Sequence, residues 1–363
     1  MAKRNRLLVL CVVLFVAFAF GCGGPEEKKL KFFNKGKELY EKGQYTEAKL
    51  EFKNAIQIDT KYADAYYMLG MVEMRSGNPR GAYGAYSKAV ELDPKHLKAH
   101  LEIGRLYLGA RMVDKAQEEA ALILKEDPKN EEGLLLQSAV YLAKQDPGRA
   151  RGILEGLIGQ GATNPDVFLM LSVVSRQTGD DKGEGDAIRR GIQANPKSVN
   201  LLMALADHHV RHKRLGEATE AVKKAIELEP GNVRFRVALA TLYWGSGRQA
   251  EATEVLTAVT AADPKKEEAW IEVAGFYLQR QKIDDAEREL KAGIQQNDKS
   301  VKIRFALGEL YANTGRVDQA VALLKECLGI AKDAASPEAI QAKNALAKIA
   351  LARQDLAEAK KYA

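Results

Sequence analysis

Histidine is the side chain best suited to hold a metal or move a proton near neutral pH, and this chain has five: His96, His100, His208, His209 and His212. His208 and His212 stand four residues apart, which would put both rings on one helix face and can chelate zinc. A metalloprotease helix also needs a glutamate between its histidines and a third ligand elsewhere; neither can be named here. Of the three cysteines, Cys11 lies in an apolar run, Cys22 ends it and Cys327 is far away, so no CxxC pair or disulfide framework exists. Cys327 reads as a small apolar core residue. No GxSxG, P-loop or dinucleotide-type glycine pattern occurs. No catalytic residue, cofactor or metal is assigned, and no small-molecule substrate is expected.

What positions these residues is a lattice. Stepping 34 residues from Ala82 in both directions meets Ala48, Ala116, Ala150, Glu184, Ala218, Ala252, Ala286 and Ala320, so a single slot departs. Twelve residues after each stands Thr60, Pro94, Pro128, Ala162, Pro196, Pro230, Pro264, Asp298 or Lys332. A third ladder sets small residues behind large ones, as in Leu69-Gly70, Ile103-Gly104 and Leu307-Gly308. On this lattice His209 falls in the slot of Tyr107, Tyr243, Tyr277 and Tyr311, and His100 in that of Tyr66 and Trp270, which are packing positions.

Within each period apolar residues recur at helical spacing, such as Tyr66, Leu69, Gly70 and Met74, then Ala82, Tyr86, Ala89 and Leu92. Breaks such as Ser76-Gly77-Asn78-Pro79 separate them, and Pro79 and Pro147 suit the first turn of a second helix, where the missing N–H costs nothing. Proline near the end of the period stops that helix. A fixed period of this length marks a stacked-repeat protein. The pattern resembles the tetratricopeptide repeat: Phe32, Tyr66 and Trp270 at position 4, a small residue at 8, Ala at 20, Phe52, Tyr86, Leu256, Leu290 and Leu324 at 24, and Pro at 32. The resemblance implies an all-α, right-handed superhelical solenoid of about ten helix-turn-helix hairpins. Its boundaries would be 29–62, 63–96, 97–130, 131–164, 165–198, 199–232, 233–266, 267–300 and 301–334, with a truncated tenth repeat capping the stack over 335–363. One hairpin cannot bury its own apolar face, so the stack is the folding unit.

The resemblance also implies a concave groove lined by the first helix of each repeat. Its candidate contacts are Tyr67, Met71, Met74, Leu101, Arg105, Arg176, Asp207 and Trp244. The Leu and Val positions of that face, Val173 and Val210 among them, are read as consumed by helix packing. Met adapts to irregular partners and aromatics anchor interfaces, which puts weight on Tyr67, Met71, Met74 and Trp244. The Lys/Asn arrangement by which co-chaperone members clamp an acidic chain terminus is missing, since Phe33 and Lys37, or Tyr67 and Met71, hold those positions. A helix or extended segment with apolar anchors fits the groove better.

Residues 1–21 combine the basic MAKRNR with the apolar LLVLCVVLFVAFAF, the proportions of a signal peptide and short for a span, which needs roughly 20 apolar residues. Gly21-Cys22 at its end resembles a bacterial lipoprotein signal, implying cleavage before Cys22, lipidation of its sulfur and a short tether over 22–28. The alternative is an uncleaved anchor helix with an incidental cysteine. The resemblance favours the outer membrane with the repeats facing the periplasm, because no Asp follows Cys22. Removing Lys3, Arg4 and Arg6 takes the net charge of +6 to about +3, with both signs interspersed, which argues against nucleic acid. The expected function is a non-catalytic scaffold for a secretion, pilus or exopolysaccharide-export machine, with an adaptor of cell-wall enzymes as the second reading and a zinc enzyme as the third. Glycines crowd 148–191 and Glu184 breaks the Ala ladder there, so this stretch is either degenerate repeat or a hinge.

Overall fold

The computed structural model describes residues 24–331 and 336–362. Cys22 and the apolar run before it lie outside the described residues. Those described form helices joined by short turns, with no strand among them. The chain divides into two compact units, Met1–Ala187 and Ile188–Ala363.

In the first unit the helices alternate as first and second members of hairpins: α1 (Pro25–Glu41), α2 (Tyr45–Ile58), α3 (Ala63–Arg75), α4 (Pro79–Leu92), α5 (Leu97–Gly109), α6 (Val113–Glu126), α7 (Glu131–Ala143), α8 (Pro147–Gly159) and α9 (Pro165–Gln177); the division between the units falls within α10 (Asp181–Ala194). The second continues with α11 (Val199–Arg211), α12 (Leu215–Leu228), α13 (Val233–Gly245), α14 (Gln249–Ala262), α15 (Glu267–Leu278), α16 (Ile283–Gln296), α17 (Val301–Asn313) and α18 (Val317–Ile330), closed by α19 (Pro337–Ala352) and α20 (Leu356–Tyr362). From α1 to α9 and again from α11 to α20, each helix packs on the one that follows it, so that a first helix meets its own second helix and a second helix the next first helix. First helices also touch one another, α5 with α7 and α7 with α9 in one unit, α13 with α15 and α15 with α17 in the other. Within each unit the first helices therefore sit on the inside of the stack.

The small and large ladders lock into each other. A Cβ built on Gly36 would stand 2.7 Å from the Phe52 ring, and one on Gly70 would stand 2.4 Å from the Tyr86 ring. Both rings are completely buried, as are Ala48, Ala82, Ala116, Ala150, Ala218, Ala252, Ala286 and Ala320. Glu184, the exception, is buried too, at 2% exposure, with Arg176 Nη1 4.0 Å from its Oε1. A buried carboxylate needs such partners, and Arg176 provides one.

Turn chemistry repeats as faithfully. Asn78 and Asp146 accept hydrogen bonds from the Gly81 and Arg149 amides while Pro79 and Pro147 open the second helices. First helices are capped by His96, Asn130, Asn164, Ser198, Asn232 and Ser300. Where α2, α4, α6 and α14 end, the Oδ1 atoms of Asp59, Asp93, Asp127 and Asp263 accept from the amide two residues on. This aspartate turn, with or without the following proline, ends the second helix. Every hairpin turn passes through the left-handed region, at Gly43, Gly77, Gly179, Gly247 and Gly315 but also at Arg111, Gln145, Lys213, Gln281 and Gln354. At the far end Ser336 caps α19, and Leu324, Cys327, Leu346 and Tyr362 form a small terminal core. Burial pushes the Cys327 thiol up to about 11, the behaviour of a packed apolar residue.

Candidate functional site

In the first unit the inward face begins at α3. Tyr67 is half-buried against Tyr86 and His96, with ring centroids 5.8 and 5.1 Å away. Burial, with the Glu102 carboxylate nearby, pushes its phenol up to about 12. Met71 is half-buried, and its sulfur accepts from Tyr86 Oη at 3.3 Å. Met74, one turn on, is 40% exposed. On α5 Leu101 is buried at 9% and is a core residue, not an open contact. Arg105 is exposed and held at 2.7 Å by both Glu102 and Glu132.

Arg105 and Leu108 of α5, Leu135 and Ala139 of α7, and Leu169 and Val173 of α9 line one cleft of about 330 Å³ along this face. Its floor is apolar, with Arg105 and Asp166 as its charged groups. Val173 is 37% exposed and thus more open than Leu101. Val210, on the second unit's inward face, is 41% exposed. The expectation that packing consumes these valines is corrected: Val173 borders the open cleft of α5, α7 and α9, and both side chains stay open to solvent. Arg176 is exposed at the end of α9 but turned toward Glu184.

In the second unit Asp207 of α11 is exposed, and one of its oxygens lies 3.2 Å from Arg211 Nε. Trp244, at the end of α13, is half-buried with its ring edge-on to Phe276 at 5.6 Å. The Arg280 guanidinium lies over the Phe276 ring, 3.6 Å from its centroid, and 5.7 Å from that of Trp244. Arg280 was not singled out from sequence. Position 14 of a repeat holds no recurrent residue, and the 36-residue separation from Trp244 is hidden until the helices pack.

His96 and His100 are structural members of their repeats. His100 is buried, with Nδ1 2.6 Å from Glu119 Oε2 and Nε2 3.1 Å from the Pro94 carbonyl. The bond to Glu119 raises its pKa above the ordinary value, against burial. His96 Nδ1 caps α5 by accepting from the Ala99 amide. His208 and His212 do share a helix face, with ring centroids 4.5 Å apart. His208 Nε2 accepts from Arg214 Nη2 at 2.9 Å, so that lone pair already has a use.

Geometrically the face offers apolar shelves interrupted by a few charges, in the form of parallel helices that a polypeptide can lie across. No helix among the described residues is long and apolar enough to cross a membrane.

In sequence, the chain is similar to DnaJ homolog subfamily C member 3 of Gallus gallus, 32% identical over 126 residues, which is 35% of this chain and 24% of that protein. It is also similar to Protein O-mannosyl-transferase Tmtc3 of Drosophila melanogaster, 24% identical over 131 residues, 36% of this chain and 14% of that protein. The chain spans about a quarter of the length of the curated relatives it matches first. Among solved structures it is similar to the P58(IPK) TPR domain, with 18% identity, 92% of this chain and 91% of that one covered and a TM-score of 0.31. A tetratricopeptide repeat protein from Parabacteroides merdae gives 16% identity, 78% and 98% coverage and a TM-score of 0.42. A family model described as TPR repeat matches residues 36–77, and one described as Tetratricopeptide repeat matches 73–140, 209–275, 245–300 and 277–343, more than half of the chain. The spacing, the interlocked hairpins and these matches agree: the chain belongs to the tetratricopeptide-repeat family.

Proposed function

We propose that this protein is a non-catalytic scaffold that holds a partner polypeptide against the inward face of its first helices. The observation that carries the reading is the apolar character of that face, where Met74 stands in solvent on the same helix as half-buried Tyr67 and Met71, and Val173 is open in the cleft formed by α5, α7 and α9. A soluble surface seldom leaves such side chains together unless something covers them. Mixed charge elsewhere and the absence of catalytic motifs from the sequence favour binding over chemistry. The test is a pull-down comparing wild type with a Met71→Glu/Trp244→Glu variant. Loss of specific partners with unchanged helicity supports the groove, and an identical partner profile moves binding to the outer helices.

On this reading the scaffold is tied to a bilayer through lipid on Cys22, faces the periplasm, with the outer membrane favoured, and serves assembly of a secretion, pilus or exopolysaccharide-export machine. Support comes from the sequence, where a basic n-region and an apolar h-region end at Gly21-Cys22. Each buried acyl CH₂ adds about 0.8 kcal/mol of membrane affinity, so several chains on one cysteine would hold the protein firmly. Detergent partitioning of Cys22→Ser is the check: a shift to the aqueous phase with a change in mass supports the anchor, and no shift of either kind points to a membrane helix.

A further inference from the structure

Basic residues at position 14 of a repeat have a recurring partner. Lys144 Nζ lies 2.7 Å from Asp114, and Arg353 Nη2 lies 2.6 Å from Asp318. In both pairs the acid sits at position 18 of the preceding repeat, taking the five-residue slip after Ala331 into account. Arg280 is the position-14 base of its own repeat, and the slot in register with it is Ala250, an exposed residue in the first turn of α14. Its charge is left uncompensated. Among the described residues no carboxylate lies within ion-pair distance of it; instead it stacks on Phe276 beside Trp244. Nη1 donates to the Phe276 carbonyl at 2.8 Å, while Nε and Nη2 have no acceptor among the described residues. Burial draws its pKa down with no acid working against it. Trp244 Nε1 likewise has no acceptor among the described residues, in contrast to Trp270 Nε1, which donates to the Pro264 carbonyl at 3.0 Å.

Two neighbouring side chains thus carry N–H donors without acceptors among the described residues, one of them positively charged and set over aromatic rings with no anion in reach. A stacked guanidinium keeps its in-plane fork available, and that fork matches a carboxylate. Gly275, on the inward face one turn before the notch, leaves open space where a side chain would otherwise stand. We propose that the notch between Trp244 and Arg280 receives the carboxylate of an Asp or Glu side chain, next to an apolar residue, in the polypeptide bound along this unit's first-helix face. The bound acid takes the role that Asp114 and Asp318 play for their bases, and Trp244 packs on its apolar neighbour. This inference rests on the groove-binding reading above.

The test pans a phage-displayed random dodecapeptide library against the whole protein in three forms, wild type, Arg280→Gln and Ala250→Asp. Ala250→Asp supplies the internal partner without touching the notch residues, so it decides the matter even if Arg280→Gln fails to fold. Expected is a wild-type pool several-fold enriched in Asp or Glu adjacent to Leu, Ile or Phe, with the acid, but not the apolar residue, falling to library frequency on both variants. A synthetic peptide from the wild-type pool should bind about tenfold more weakly when its acid is changed to the amide. Apolar peptides without acid enrichment, or equal enrichment on Ala250→Asp, overturn this inference and leave the groove standing. Recovery of no peptide overturns both.

Discussion

At the scale of single residues, two kinds of side chain hold the repeats together. The first is steric. Gly70 and Tyr86 leave no room for a methyl group, so Gly70→Ala should lower unfolding free energy by about 1–3 kcal/mol through overpacking. Tyr86→Leu in the same chain should recover part of it; chemical denaturation of the single and double variants checks this. The second is electrostatic. His100 donates to Glu119 and to the Pro94 carbonyl, and the first of these bonds raises its pKa above 6.5. A base raised in the folded state adds stability that is complete below its unfolded value and lost as pH rises through its folded value. Thermal melts should therefore fall by a few degrees as pH climbs through that window, and His100→Phe should flatten the dependence. Glu287 works in the opposite sense. Burial would raise its carboxyl, but Lys291, Arg316 and Tyr311 donate to it and bring it down to about 2. Its contribution is present above the ordinary 4.5 and lost as pH falls toward 2.

At the scale of helices, the 34-residue period and the large-small ladder were legible because each is a local pattern repeated. The hairpin turns were legible as breaks, though not in mechanism: the aspartate at position 31 that ends α2, α4, α6 and α14 went unread beside the more conspicuous proline. Pairs such as Lys144 with Asp114, or Trp244 with Arg280, join different repeats and become visible only once the helices pack. The glycine-rich stretch shows what redundancy in the pattern can absorb. No family match covers residues 141–208, yet α8 and α10 form. Gly152 and Gly156 are exposed within α8, and a Cβ on either would meet nothing within 4 Å. Gly152→Ala and Gly156→Ala should each stabilise the protein by about 0.5–1 kcal/mol, and slow amide exchange in α8, by removing helix-opposing backbone entropy. Exchange in wild-type α8 already as slow as in α12 would contradict that view of the segment.

At the scale of the molecule, a chain whose hairpins spend their second helices and alanine slots on packing has the first-helix face left for a partner. Most of that face was foreseen from repeat positions; which members of it are open was not. Leu101 is spent on the core and Arg105 on its two glutamates, whereas Val173 and Val210 emerge. The direct measurement is site-specific photo-crosslinking in the cells that make the protein, with the photoreactive residue placed at Met74, Val173 or Trp244 on first helices and at Leu50 or Leu122, exposed on second helices α2 and α6. If the inward face holds the partner, the first-helix positions give the same discrete adducts, and Leu50 and Leu122 give none. Adducts confined to Leu50 and Leu122 would contradict it.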